Sequence, residues 1–178
     1  MKLPFLEPMK IFFACILAAV LYGIAHDMIT AHLCVEYFSV FHPPVFNTVS
    51  PTLLALGWGV IATWWAGGII GAPLALVSRS GSHPKLTLSD LMRPIAILMS
   101  VMAACAVVAG VTGYLWGPVP DDVAAVLPVA KYRNFVADLW AHSVSYLIGF
   151  IGGIVLCVVA YRMRLQRRGT VQNVAEKI

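Results

Sequence analysis

The stretch YGIAHDMITAHLCVEYFSVFHPP, from Tyr22 to Pro44, places His26, Asp27, His32, Glu36 and His42 within seventeen positions and contains no Lys or Arg. Imidazoles and carboxylates together form a donor set for Zn, Fe or Mn, and the same groups can pass protons. A second polar pair, Asp138 and His142, lies far along the chain. His26, Glu36, His42 and His142 are the candidate metal ligands. Asp27 and Asp138 are the candidates to orient a ligand or to act as a catalytic base. No local motif such as H-E-x-x-H fixes two ligands on one helix. Three outcomes therefore stay open: a metal centre, a metal-free proton relay or polar pocket, and plain structural bonding in which His26 bonds Asp138 or a backbone carbonyl. A b-type haem held by His26 and His142 is a narrower form of the first. It is disfavoured because Asp27 would set an acid against the macrocycle.

The elements that must position these groups are apolar. The chain has 178 residues, of which 60% are hydrophobic and only 11% charged, against about 25% charged in a soluble domain. Four runs are nearly free of charge: Ile11–Ala25, Val45–Ser78, Pro94–Val119 and Leu139–Tyr161. A helix needs about 20 apolar residues to cross the hydrocarbon. These runs lack the alternation of a membrane β-barrel. The expected fold is an all-α membrane protein, one domain over residues 1–178, with spans at about 10–30, 52–77, 94–116 and 138–161 in a four-helix bundle. The segment Ala31–Phe41 has no helix breaker and reads as an interfacial helical extension of the first span, ended by Pro43 and Pro44. The third span is expected to begin near Pro94, the fourth to close at Arg162, and Pro73 to kink or end the inner part of the second.

Charge placement suggests orientation. With the N-terminus inside, Lys2, Lys10, Arg79, Lys85, Arg93, Arg162, Arg164, Arg167, Arg168 and Lys177 are internal, and only Lys131 and Arg133 are external. That is a positive-inside pattern with both termini cytoplasmic, as expected for a bacterial inner-membrane protein. The net charge of +4 then reflects topology, and nucleic acid is not needed as a partner. The basic tail YRMRLQRRGT reads as a stop-transfer anchor near lipid headgroups. No clean small-x-small site follows the first apolar run, which is expected to remain uncleaved. Cys15, Cys34, Cys105 and Cys157 form no C-x-x-C pair, which argues against a disulfide oxidase.

Helix rise gives depth. His26 lies about 24 Å beyond Lys10, and His142 about 30 Å before Arg162. The two imidazoles are thus expected in one outer layer, on the first and last spans. On the last span Asp138, His142, Ser145, Gly149 and Gly152 share one side. Its small residues imply that this side faces the bundle. Gly67 with Gly71, Gly149 with Gly153, and Ala106 with Gly110 are small-x-x-x-small pairs suited to close helix contact.

The pattern Tyr22-Gly23-x-x-His26-Asp27-x-x-Thr30, then Glu36-Tyr37-Phe38 and His42-Pro43-Pro44, resembles a block found in small, uncharacterised bacterial multi-span membrane proteins. His142-x-x-Ser145-Tyr146-x-x-Gly149-x-x-Gly152-Gly153 is similar to their last helix. The resemblance implies a bacterial membrane protein and supplies no reaction. The expected function is a membrane-embedded, metal-dependent enzyme or metal-handling protein acting at the external face, with Zn, Fe or Mn as the cofactor and the lipid bilayer as its surroundings. A non-enzymatic accessory subunit of a larger membrane complex or homo-oligomer is the alternative. A small transporter or proton relay ranks third.

Overall fold

The computed structural model describes residues 5–175, so the sequence's Lys2 and Lys177 lie outside the described residues. It contains α1 (Leu6–Leu33), α2 (Val35–Ser39), α3 (Pro51–Ile61), α4 (Trp64–Arg79), α5 (Leu88–Trp116), α6 (Asp121–Val126), a 3-10 turn at Val129–Lys131 and α7 (Tyr132–Ala175). There is no strand among the described residues. Four stretches are long and apolar enough to cross a bilayer: α1, α3 with α4, α5, and the turn with α7 as far as Gly169. Large apolar side chains such as Leu17, Leu21, Ile69, Val108, Leu147 and Ile154 are exposed on the outside of the bundle. A surface of that kind belongs in lipid. Four crossings leave α1's start and α7's end at one end of the bundle, here the terminal end. Capping elements α2 and α6 lie at the opposite, or far, end.

Helix α1 packs against α3 and α4, and α5 packs against α7. The two pairs meet at the terminal end, where Ile11, Cys15, Leu74, Leu91, Ile95, Leu98 and Leu156 form one buried cluster. In lipid, apolar surface alone gives helices no reason to associate, so close backbone approach matters. A Cβ added at Gly59 would lie 2.6 Å from the Ile24 backbone, and one at Gly67 would lie 2.7 Å from the Cys15 carbonyl oxygen. Gly71 faces Cys15 and Phe12, Gly110 faces Ala137 and Ala141, and Gly149 and Gly153 face Met102 and Ile70. The small-residue pairs therefore serve contacts within the chain.

Several boundaries differ from the sequence expectation, each for a local reason. Helix α5 starts at Leu88, because Thr87 and Asp90 form a capping box that begins it a full turn and more before Pro94. Helix α4 continues through Pro73 to Arg79. The second span instead breaks at Ala62 and Thr63, where the Thr63 hydroxyl donates back to Gly59 O at 2.5 Å. The Tyr146 hydroxyl donates to the Ala62 carbonyl at 2.9 Å and satisfies it at the break. Helix α7 runs past Arg162, and Arg164 turns inward. It donates to the carbonyls of Val77, His83 (2.8 Å) and Pro84 (2.9 Å), so it closes the α4–α5 loop from inside. Buried carbonyls of an irregular loop need such donors, and a guanidinium has five.

At the far end the expected continuous helix over Ala31–Phe41 is split. Cys34 takes φ −147° and ψ 89°, ending α1 and starting α2. His32 and Glu36, four positions apart, therefore do not share one helix face. Cys34 packs with Val123, Leu127 and Phe135, a small apolar cap joining the loops.

Gly59→Ala and Gly67→Ala should each lower the melting temperature in detergent by several degrees, from an overpacking cost of about 1–3 kcal/mol. Gly149→Ala meets only the flexible end of Met102, at 3.2 Å, and should shift it by less than half as much. Equal shifts for all three would mean that the α1 seam is not the tight one.

Candidate metal centre

Two turns before its end, α1 presents His26 and Asp27, and α7 presents His142 to meet them. The ligand atoms of these three residues all lie within 4.8 Å of one another. The two imidazole rings are 4.5 Å apart and nearly perpendicular, at 87°. His142 Nε2 is 3.2 Å from Asp27 Oδ1, and Asp27 is buried. The depth pairing of His26 with His142 is thus present in the fold.

Proton positions in this group follow from its partners. His142 Nδ1 lies 2.8 Å from the main-chain oxygen of Asp138. A carbonyl only accepts, so Nδ1 carries the proton. Nε2 then meets Asp27 in one of two states: imidazole accepting from a carboxylic acid, or imidazolium donating to a carboxylate. In both, the pair shares one proton, and a cation can take its place. His26 Nε2 is buried with no partner among the described residues. An unsatisfied buried polar atom costs about 1–3 kcal/mol, so this nitrogen asks for a ligand.

The arrangement fits a divalent ion. Ligands at about 2.0–2.2 Å from one ion lie roughly 3–4.4 Å from each other. The 3.2 Å contact already has this spacing, and the widest separation needs to close by only about 0.5 Å. Bonding of His142 Nδ1 to a carbonyl is the usual way a ligand imidazole is oriented. That bond alone does not mark a ligand, since exposed His32 makes the same one to Met28 O at 2.7 Å. The convergence of three residues does.

The remaining candidates are placed differently. His42 Nδ1 is 2.7 Å from Tyr37 O, and its ring packs on Trp58 at 4.8 Å. It borders the same cavity as Asp27 and His142 without joining the three. Glu36 is not brought to the group: it pairs with Lys131 at 3.1 Å and accepts from Cys34 Sγ at 3.5 Å. Burial works to raise the Glu36 pKa, but bonds from its own main chain, from Lys131 and from Cys34 outweigh it and leave the pKa lowered. Burial, with help from nearby acids, pushes the Cys34 thiol up to about 12, and Cys34 is not among the three residues that converge. Asp138 holds His142 through its backbone, not its carboxyl. Both of its carboxyl oxygens are buried and unpartnered among the described residues.

A cavity of about 110 Å³ opens beside the three residues. A water needs about 10–15 Å³ on this measure, so several waters or a small organic group fit. Its wall is aromatic: Tyr22, Tyr37, Phe38, Trp58, Tyr146 and Phe150. The Tyr37 ring stacks on His142 at 4.6 Å. Burial first, then the Asp138, Tyr146 and Asp27 side chains, raises the Tyr37 phenol above its ordinary range and keeps it a neutral donor. Sequence reasoning gave no role to these aromatics. Tyr146, one turn from His142, carried a weak signal by spacing, and Trp58 carried none.

Fold and site together define a four-span helical membrane protein with a His–Asp–His group inside the far half of its bundle. No protein-family model matches the chain, and no curated protein or solved structure matches it either.

Because its pKa is lowered in the fold, Glu36 stabilises the folded state above the usual glutamate range, and this is lost as pH falls through the folded value. Glu36→Gln should remove an acid-side step of at most about 1 kcal/mol from melting curves between about pH 3 and 6. It should leave any bound metal in place. Loss of metal in this variant would return Glu36 to the ligand set.

Proposed function

We propose that this chain is a bacterial inner-membrane protein that holds one divalent ion, Zn, Fe or Mn, between α1 and α7. It would be a metal-dependent enzyme acting on a small, lipid-soluble molecule. The observation that carries this proposal is the convergence of His26, Asp27 and His142 within 4.8 Å beside an aromatic cavity. Three protein ligands leave coordination positions open, which is the pattern of catalytic rather than structural sites. The ion would supply Lewis acidity at the cavity wall. His26, Asp27 and His142 would bind it. His42, its Nδ1 held by Tyr37 O, leaves Nε2 to accept or return a proton in the cavity. The aromatic wall would position an apolar substrate and exclude bulk water. Basic residues gathered at the terminal end support cytoplasmic termini, which puts the site toward the periplasm.

A second function, a metal-free proton relay, is favoured by one observation. Asp27 and His142 lie 3.2 Å apart, close enough to share a proton directly.

Elemental analysis of protein purified without chelator tests the choice. Near one equivalent of metal is expected, and His26→Ala, Asp27→Asn and His142→Ala should each lose most of it. The double histidine variant should be little worse than either single, because ligands of one site act together. Affinity should fall as pH drops, since protons compete for imidazole and carboxylate. Protein that stays metal-free after supply of Zn, Fe and Mn would reject the metal and leave the relay.

A further inference from the structure

Behind His26 lies a second cavity, of about 410 Å³, bounded by α1, α5 and α7. Its volume is within the usual range of ligand pockets, about 300–1,000 Å³. Ala25, Ala103, Ala106, Gly110, Ala137 and Ala141 shape it into a slot between helices. Ile29, Val107 and Val111 form its rim and are 70%, 64% and 55% exposed, so the slot opens sideways onto the lipid-facing surface. At its far end the Asn134 side chain donates to Leu33 O at 3.0 Å and ties α1 to α7. Access is therefore from the bilayer.

An apolar slot alone would accept any acyl chain. Asp138 makes this one selective. It borders the slot and has no hydrogen-bond partner for either carboxyl oxygen among the described residues; at 0% exposure its carboxyl lies just under the slot wall, so a ligand group reaches it as the wall side chains give way. Buried carboxyl oxygens are nearly always paired. A ligand that enters from lipid and bonds the Asp138 carboxylate must bring a hydrogen-bond donor on an apolar chain. An ammonium would have to be stripped of its water at large cost, whereas a hydroxyl is neutral and far cheaper to desolvate. The Ala and Gly walls leave one slot, with room for one chain.

We infer that this slot binds a single-chain lipid alcohol from the bilayer, with its hydroxyl donating to Asp138. The site stands apart from the metal. Asp27 and His142 border the other cavity, Asp138 borders this one, and His26 borders both.

Photolabelling of the full chain in lipid nanodiscs tests it, with a diazirine-bearing hexadecanol as probe and its methyl ether as control. The alcohol should label peptides carrying Ile29, Val107 and Val111 about tenfold more than the ether, the value of one buried hydrogen bond. Asp138→Leu should bring the alcohol down to the ether's level while slot labelling persists. Val107→Trp, which fills the slot and leaves Asp138 in place, should block both probes. Equal labelling by alcohol and ether in the parent chain overturns the inference, as does a preference that survives Asp138→Leu. Because the alcohol–ether comparison uses the parent chain, it decides even if Asp138→Leu does not fold.

Discussion

The contact between Asp27 and His142 is the constraint on which the far half of the molecule depends. Charged and polar side chains are costly inside apolar helices, by about 2.5–3.5 kcal/mol each at mid-membrane, and less toward the surface. Such groups persist when they meet one another. Asp27 sits on the first span and His142 on the last, 115 positions apart in sequence and 3.2 Å apart in space. Tyr22 with Ser145 (2.8 Å) and Asn134 with Leu33 O (3.0 Å) join the same two helices on either side of this contact. The pair thus lies at the centre of a short set of polar links that close the far half, while apolar packing closes the terminal end.

That asymmetry explains the cavities. At the terminal end, Ile11, Leu74, Leu91 and Leu156 fill the centre, and Arg164 bonds the α4–α5 loop from within. Toward the far end the central positions pass to Ala, Gly, His and Asp. These cannot fill the same space. The loop cluster of Cys34, Val123, Leu127 and Phe135 covers the far end. His26 stands between the two cavities and borders both. The break at Ala62 and Thr63 faces the same cavity, and its carbonyl is satisfied by Tyr146 from α7. Irregular backbone at membrane depth is tolerated where protein groups complete it.

Much of this was legible in the sequence. Run lengths gave the four spans, and rise per residue put His26 and His142 in one layer, because both depend only on helical geometry. The facing of His142 followed from Gly149 and Gly152 on the same side. What was not legible depended on single residues in unusual settings. Cys34 interrupts a stretch with no Gly or Pro, so the expected continuous helix over Ala31–Phe41 is split, and Asp27 rather than Glu36 completes the group of three. Arg164 looks like any basic residue of a stop-transfer tail until the carbonyls of a loop eighty residues earlier are seen around it. The second span breaks at Thr63 and not at Pro73, and the Tyr146 hydroxyl that satisfies the freed Ala62 carbonyl comes from α7, far along the chain. The idle carboxyl of Asp138 could not be read at all, since only the packed structure shows it without a partner among the described residues.

The central claim is that one ion is shared by α1 and α7. X-ray absorption at the metal edge counts imidazoles around the bound ion and tests it most directly. Sharing predicts two imidazoles in the parent protein, and one in whatever metal remains in either His26→Ala or His142→Ala. A count that stays the same in one of those variants would place the ion elsewhere and contradict the shared centre.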